Sequence, residues 1–502
     1  MTEAIGLKVG DPRFWDPQDL RQEITRIFDV CHSCRLCFKF CGSFPALFEM
    51  IDGKTEKLRQ DYLRTHPEIV ESAARRREEA AAAPPLHHEE AQGEVGVTFG
   101  DELPELTAHA RDVGDAEVDR VVDLCFQCKL CYPNCPYTPP HEFAIDFPRL
   151  LLRWKAQRVR RRGGVSLKTR LMRDTALIGK VASLTPALAN WSLRNPLVRR
   201  VMAPVAQIHP EKVMPTYYGE TFPRWWRRHQ PQVEPLQPPR EGVEAVTPPK
   251  VALFSSCVVD YNDPDCGKAA VYVLEHNGIE VVWPEGQVCC GMPFLDEGDL
   301  DAASKRIRKN VDALLPWVER GYAVVVPSPS CSLMIREEFP QLVATESAAR
   351  VAANTYDLND YLYRFAREGR LKRDFRRRFG RVRYHVPCHI RVQNIGIRGR
   401  DLLRLVADDV EAVQECSGHD GTWSMSVDHF HESLRWGRKA FDGMRAPAGE
   451  TGALACSDCR LAALHIRQGA GTSAVHPVMA LAHAYGFDIG APGQFDSKPA
   501  AP

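Results

Sequence analysis

Two runs of cysteines constrain this chain more than anything else in it. Cys31, Cys34, Cys37 and Cys41 read C-x2-C-x2-C-x3-C, and Cys125, Cys128, Cys131 and Cys135 repeat the spacing, with Pro136 following. Three thiolates two residues apart wrap one iron–sulfur cubane from a single tight loop, and the fourth iron then needs a thiolate from outside that loop. A pair of structural zinc sites is the competing reading, but zinc usually takes two C-x2-C pairs with a longer loop between them. The chain holds 17 cysteines. Its start, MTEAIGLKVGDPRFWDP, has neither a basic stretch nor an apolar core, so no secretory signal is expected. Thiols in such a chain are expected to be reduced, in the cytoplasm, and kept for metal rather than disulfides.

The spacing resembles that of bacterial two-cluster ferredoxins, in which the fourth cysteine of each run ligates the other run's cluster. The resemblance implies two [4Fe–4S] clusters, one on Cys31, Cys34, Cys37 and Cys135, the other on Cys125, Cys128, Cys131 and Cys41. Gly42 stands where a proline would usually follow the first run, a departure that touches no ligand.

At 502 residues the chain is long enough for two or three domains. Its 65 basic and 65 acidic residues cancel, which argues against a nucleic-acid partner. No run of 18 apolar residues exists, so no membrane-spanning helix is expected. Residues 1–150 are expected to form the ferredoxin-like module, with an inserted loop at about 66–100. The insertion reads as a charged, alanine-rich helix and then a mobile loop after Pro84-Pro85, with His87 and His88 as solvated side chains. Residues 151–228 read as a helical connection. Within 149–173 there are ten Arg or Lys and no acid, either a solvated helix face or a surface for anionic lipid or an acidic partner. Residues 229–250 are polar and proline-rich, a linker, and 491–502 are expected to be a disordered tail.

Beyond the linker the texture changes. KVALFSSC, IEVVW, YAVVVPSPSC and RVRYHVPC are short β-branched runs separated by helical segments, the signature of an α/β layered domain. Cysteines sit at the carboxyl ends of these runs, where open α/β sheets place their ligands. The cysteines also repeat: Cys257, Cys289-Cys290 with Gly291, and Cys331 are followed by Cys388, Cys416 with Ser417 and Gly418, and Cys456 and Cys459. Matching Cys257 to Cys388, Cys289 to Cys416 and Cys331 to Cys456 gives a nearly constant offset, so 251–375 and 376–490 are expected to be duplicated units. Cys266 falls outside both patterns and is expected to be a buried thiol.

This pattern resembles the cysteine-rich "CCG" domain found twice in heterodisulfide reductase and its relatives. Joined to an N-terminal two-cluster module, the order is similar to a superfamily of iron–sulfur oxidoreductase subunits. That superfamily takes in those of anaerobic glycerol-3-phosphate dehydrogenase, heterodisulfide reductase and glycolate oxidase. The fold it implies is α+β and α/β, a helical two-cluster ferredoxin module followed by a duplicated α/β CCG domain. Five cysteines per repeat build a noncubane cluster pair in the heterodisulfide reductase relatives. Here Met334 and Ser417 each remove one thiol. Four remain per repeat, Cys257, Cys289, Cys290 and Cys331, then Cys388, Cys416, Cys456 and Cys459, enough for one or two additional iron–sulfur clusters, although zinc or an empty site stays open. His385, His389 and His419 flank the second group, as structural residues or as ligands or donors to a cluster.

No G-x-G-x-x-G follows a strand, and no P-loop, HExxH or GxSxG is present. A chain of clusters without its own hydride acceptor must take electrons from another polypeptide, usually a flavoprotein. The expected function is therefore the iron–sulfur electron-transfer subunit of an oxidoreductase complex. It would have no substrate dehydrogenase site of its own, and would relay electrons from a flavoprotein of the glycerol-3-phosphate or 2-hydroxy-acid dehydrogenase type to quinone or another acceptor. It would be cytoplasmic or peripheral on the cytoplasmic membrane face. The alternative is a heterodisulfide or thiol-disulfide reductase whose catalytic centre is a CCG-bound cluster, a reading kept open by the intact Cys289-Cys290 pair. Clusters that serve only to hold a scaffold together are the non-redox reading.

Overall fold

The computed structural model describes residues 6–82, 106–419, 421–446, 453–490 and 498–499. It forms two compact units, Arg21–Cys125 and the remainder of the chain. His87 and His88, and the loop expected around them, lie outside the described residues.

The smaller unit is helical because its apolar residues recur at helical spacing. In α1 (Pro17–Cys34) the buried side chains are Leu20, Ile24, Ile27 and Phe28. In α2 (Ser43–Thr65) they include Phe44, Leu47, Phe48 and Ile51. α3 (Pro67–Ala82) supplies the helix expected in the insertion. α4 (Asp115–Asp123) buries Val118, Val121 and Val122 and packs on α2.

In the larger unit α5 (Phe147–Arg161) starts behind an Asp146 N-cap and is buried along most of its length. This decides the fate of the basic stretch. Arg149 pairs with Asp146 at 3.0 Å, Arg153 with Asp19 at 2.7 Å and Arg170 with Asp299 at 2.9 Å, and Arg173 pairs with Glu297. Arg160 and Arg161 lie over the rings of Trp15 and Trp154. The run reads as free in sequence because, apart from Asp146, its acidic partners are distant along the chain. Four short helices follow, α6 (Leu167–Arg173), α7 (Thr175–Ala182), α8 (Pro186–Arg194) and α9 (Pro196–Ala206), then α10 (Phe222–Trp226). Residues 229–250 carry no helix, but they are strapped down. Glu234 bonds Lys372 at 2.6 Å and His276 at 2.8 Å, and the Arg240 amide donates to the Glu368 carbonyl.

Two parallel sheets make up the rest. The first runs β1 (Lys250–Leu253), α11 (Ser256–Tyr261), α12 (Pro264–His276), β2 (Glu280–Val282), α13 (Met292–Leu295), α14 (Leu300–Val318), β3 (Ala323–Val326), α15 (Pro329–Leu333), a π-helical turn Met334–Glu338, α16 (Phe339–Leu342), α17 (Glu346–Ala353), β4 (Thr355–Asp357) and α18 (Leu358–Arg367). The strand order is β2-β1-β3-β4. The second has β5 (Arg377–His385), α19 (Cys388–Val392), α20 (Arg398–Leu403), β6 (Ala407–Val413), α21 (Phe430–Met444), β7 (Leu454–Ser457), α22 (Arg460–Ala470) and α23 (Pro477–Tyr485), in order β6-β5-β7. The first sheet has core on both faces, as parallel sheets require: Val251, Leu253 and Val325 face one apolar cluster, Val324 and Val326 the other. The first cluster is continuous with Val382, Tyr384 and Leu454 of the second sheet, through packing of α12 on α23 and α18 on α20. The fold is thus the expected helical region followed by two α/β sheets. Of the expected tail, Lys498–Pro499 pairs antiparallel with Arg377 and Arg378.

Candidate functional site

Parallel order brings together loops that are distant in sequence. Cys257 follows β1, the Cys289-Cys290 pair follows β2, and Cys331 follows β3, so three neighbouring strands deliver four thiols to one sheet edge. They touch as a chain. Free thiols all, Cys257 hydrogen-bonds with Cys289, Cys289 with Cys290, and Cys290 with Cys331. Cys289 is the acceptor of the group: hydrogen bonds from Cys257 and Cys290, with a further one from the Gly291 amide, hold it well below the usual thiol range. Its neighbours are pushed up, Cys257 by its bond to Cys289 and by burial, Cys290 by its bonds to Cys289 and Cys331.

Supporting residues that sequence reasoning missed fix this arrangement. Asn310 on α14 is fully buried; it accepts from the Val288 amide at 2.8 Å and donates to the Cys289 carbonyl at 3.2 Å, clamping the backbone of the cysteine pair. Thr175 Oγ1 lies 3.2 Å from Cys257 Sγ. Gly291 has φ +99°, a left-handed turn that aims its amide back at Cys289. Met334 is buried and its methyl lies by Gly291, filling space with an apolar group. Nothing in the local spacing singles out Asn310 or Thr175, because each acts across a sequence gap.

The second set is laid out differently. Cys388 opens α19 after β5, Cys416 follows β6, and Cys459 caps α22 after β7. Cys416 Sγ accepts from the Gly418 amide at 3.3 Å. Gly418 needs to be glycine, since at φ +65° a Cβ would collide with the Ser433 carbonyl. Burial pushes Cys459 up to about 11, with Asp458 and Cys331 of the first set adding negative charge nearby. Cys456 lies inside β7, fully buried in the apolar cluster beside Leu454. The ladder explains why. Leu253, four residues before Cys257, pairs with Val325, and Tyr384, four before Cys388, pairs with Cys456. Cys456 therefore corresponds to Val325 rather than to Cys331, which corrects the expected repeat alignment. Cys266 is likewise a core residue.

The three histidines that flank the second group have hydrogen-bond partners. His385 Nδ1 lies 3.0 Å from Ser457 Oγ, His419 Nδ1 3.3 Å from Ser424 Oγ, and His389 meets polar partners at both ring nitrogens. Burial keeps His385 and His389 neutral, down at about 4.

The segment from Phe126 to Cys131, which carries Cys128 and Cys131, is held firmly. Gln127 and Lys129 adopt left-handed conformations, at φ +50° and +58°. Phe126 lies tilted against Trp423, with ring centroids 5.2 Å apart, and the Lys129 ammonium is buried against Glu338 at 2.5 Å. Burial alone would raise the Glu338 carboxyl, but Lys129 and Arg149 outweigh it and hold it at about 2. In the smaller unit, Cys31 and Cys34 lie in the last turn of α1 and Cys41 just ahead of α2. Burial and the nearby Cys125 push Cys41 up to about 12, so these two thiols, from different runs, are neighbours.

Four sulfur donors gathered at one place suit a thiolate-ligated cluster, and the half-buried Cys257 with the buried Cys289, Cys290 and Cys331, touching in a chain, meets that test. The second set brings three thiols to the sheet edge and sends the fourth into the core. Among the described residues no group of His, Cys, Asp or Glu is arranged to grip a single metal ion. None of their helices is long and apolar enough to cross a membrane.

The cysteine-rich (CCG) domain family matches residues 251–336, and the citrate utilization protein B Fer4-like domain matches 103–162. An anaerobic glycerol-3-phosphate dehydrogenase subunit of Escherichia coli (strain K12) is 26% identical over 323 residues, 64% of this chain and 77% of that protein. Lactate utilization protein A of Bacillus licheniformis is 31% identical over 195 residues, 37% of this chain and 79% of that protein. A fumarate reductase (CoM/CoB) subunit of Methanothermobacter marburgensis is 28% identical over 218 residues, 42% of this chain and 41% of that protein.

Proposed function

Because the chain belongs to the iron–sulfur, cysteine-rich family of lactate utilization protein A, we propose that it is the electron-transfer subunit of a dehydrogenase complex. The single observation that carries this is the four-thiol group at the edge of the first sheet, beside a firmly held ferredoxin-type segment. We assign two [4Fe–4S] clusters to the eight cysteines of the two runs and a further cluster to Cys257, Cys289, Cys290 and Cys331. When bound, these groups supply one-electron carriers, which is why a two-electron donor such as a flavin belongs on a partner chain. The names of two relatives, concerned with glycerol 3-phosphate and lactate, favour a partner that oxidises a polyol phosphate or a 2-hydroxy acid, with quinone or another carrier as acceptor.

A peripheral membrane contact is supported by α6–α9. Leu171, Leu177, Val181, Leu188, Trp191 and Val205 are exposed there, with Leu167 at 84% and Val201 at 76%. Residues 175–210 hold no acid, while Lys180, Arg194 and Arg200 are exposed. Apolar stripes turned outward and rimmed by cations suit peripheral binding to anionic lipid on the cytoplasmic face. Leu188→Glu with Trp191→Glu should abolish flotation with anionic vesicles, whereas Arg160→Glu should act through lost packing on Trp15.

The test of the main reading is iron and acid-labile sulfide on anaerobically purified protein, with EPR after reduction. Spectra with more than two clusters, no dehydrogenase activity from the isolated chain, and transfer of electrons from dithionite to a quinone analogue are expected. Stoichiometric zinc in place of iron would overturn it. The reductase alternative is supported by the intact Cys289-Cys290 pair, in which Cys289 accepts hydrogen bonds from Cys257 and Cys290. Disulfide reduction by the chain alone, lost in Cys289→Ser, would put that reading in its place.

A further inference from the structure

His389 stands where three cysteine-bearing segments meet. It follows Cys388 at the start of α19. Its Nε2 lies 3.1 Å from the carbonyl oxygen of Gln127, the residue before Cys128. Its Nδ1 lies 2.9 Å from the hydroxyl of Ser330, the residue before Cys331. A carbonyl oxygen only accepts, so Nε2 carries the proton, and Nδ1, left with its lone pair, accepts from the Ser330 hydroxyl. One neutral tautomer thus satisfies both contacts. The ring is locked further by its own helix. Gln393 donates to the His389 carbonyl and to Ser332 Oγ, both at 2.9 Å, and accepts from Arg336 at 2.8 Å, which clamps α19 to α15. The Lys129–Glu338 pair, at 2.5 Å, ties the ring's partner loop to the π-helical turn.

We propose that His389 is the bridge by which electrons pass between the ferredoxin-type segment 126–131 and the cysteine set of the first repeat. The proposal rests on the cluster assignment made above for Cys257, Cys289, Cys290 and Cys331. The route runs from Cys128 through the Gln127 peptide, across the imidazole, and through Ser330 to Cys331. With clusters held by those cysteines, one electron at a time would pass from the reduced to the oxidised carrier along this route. No bond forms or breaks and the ring keeps its single proton, because both nitrogens are already committed. His389 acts as a positioning and coupling residue, not as an iron ligand.

The experiment uses the full chain with its iron, reduced by a flash-photolysed flavin and freeze-quenched for EPR. The first-repeat signal is identified by its disappearance in Cys290→Ser. His389→Ala should slow the growth of that signal roughly tenfold or more, the usual scale for outer-shell partners, with iron and sulfide content unchanged. Free imidazole added to His389→Ala should restore part of the rate. Ser330→Ala removes only a hydroxyl and should also slow transfer; if His389→Ala does not fold, an unchanged rate in Ser330→Ala overturns the proposal. An unchanged rate in a folded His389→Ala overturns it directly. Iron lost from His389→Ala would make the residue a ligand and refute the bridge. A wild-type protein with no first-repeat signal at all would instead sink the cluster assignment, and the bridge with it.

Discussion

Glu338 is the residue whose replacement tests the architecture most sharply. It is fully buried on the π-helical turn after α15, where it accepts from Lys129 at 2.5 Å and from Arg149 at 3.3 Å. Glu338→Gln keeps the shape and removes the charge, leaving the buried Lys129 ammonium without its anion. Removing one partner of a buried pair costs about 3–5 kcal/mol. The pKa gives a similar figure, since a fall from 4.5 to about 2 corresponds to roughly 3 kcal/mol. The folded pKa is depressed, so this stabilisation is complete above about pH 4.5 and disappears as pH falls through the folded value near 2. Urea unfolding of the variant at pH 7 should show the full loss, and the gap to wild type should close as the pH drops from 4.5 towards 2. The double variant Lys129→Met with Glu338→Leu should recover most of the loss, because a well-packed apolar pair replaces a buried ionic one at little cost. A loss under about 1 kcal/mol, the scale of an exposed pair, or a gap that does not change with pH, would refute the reasoning.

Other outcomes follow from the same structure. Asn310→Ala should cost about 1–3 kcal/mol by stranding the Val288 amide, and should lower iron in the first repeat, read by sulfide assay. Cys266→Ala should leave the iron count intact while lowering stability by about 1–2 kcal/mol, since Cys266 packs in the core; fewer iron atoms would make it a ligand. Burial holds Lys212 down at about 7 against 10.5 unfolded, so unfolding takes up a proton between those values and stability should rise with pH across that window. Lys212→Met should flatten the rise in a denaturation series from pH 7 to 10, and a rise that persists would assign it to another group.

The chemistry of the chain was legible before its shape. Each ferredoxin run is a property of one short segment, because the spacing of Cys31, Cys34 and Cys37, or of Cys125, Cys128 and Cys131, is set by residues next to one another, although Cys31 and Cys34 lie in the last turn of α1 rather than in a loop. The alternation of β-branched runs with helical stretches likewise carried the α/β class, since the periodicity of a strand or helix is local. What the sequence could not decide was which distant groups meet. Cys257 and Cys331 converge because β1 and β3 are neighbours in the sheet. Cys456 turns into the core because the β5–β7 register places it opposite Tyr384, and one residue of register decides the face of every side chain on a strand. Arg149, Arg153 and Arg170 find acids far away along the chain, so a run that looks like a free cationic surface is partly tied down by ion pairs, while Arg160, Arg161, Arg162, Lys168 and Arg170 stay exposed. His389 could be a ligand by proximity to Cys388, yet Gln127 and Ser330 take both its nitrogens. Local spacing specifies what one loop can hold; only the pairing of remote strands specifies what two loops can share.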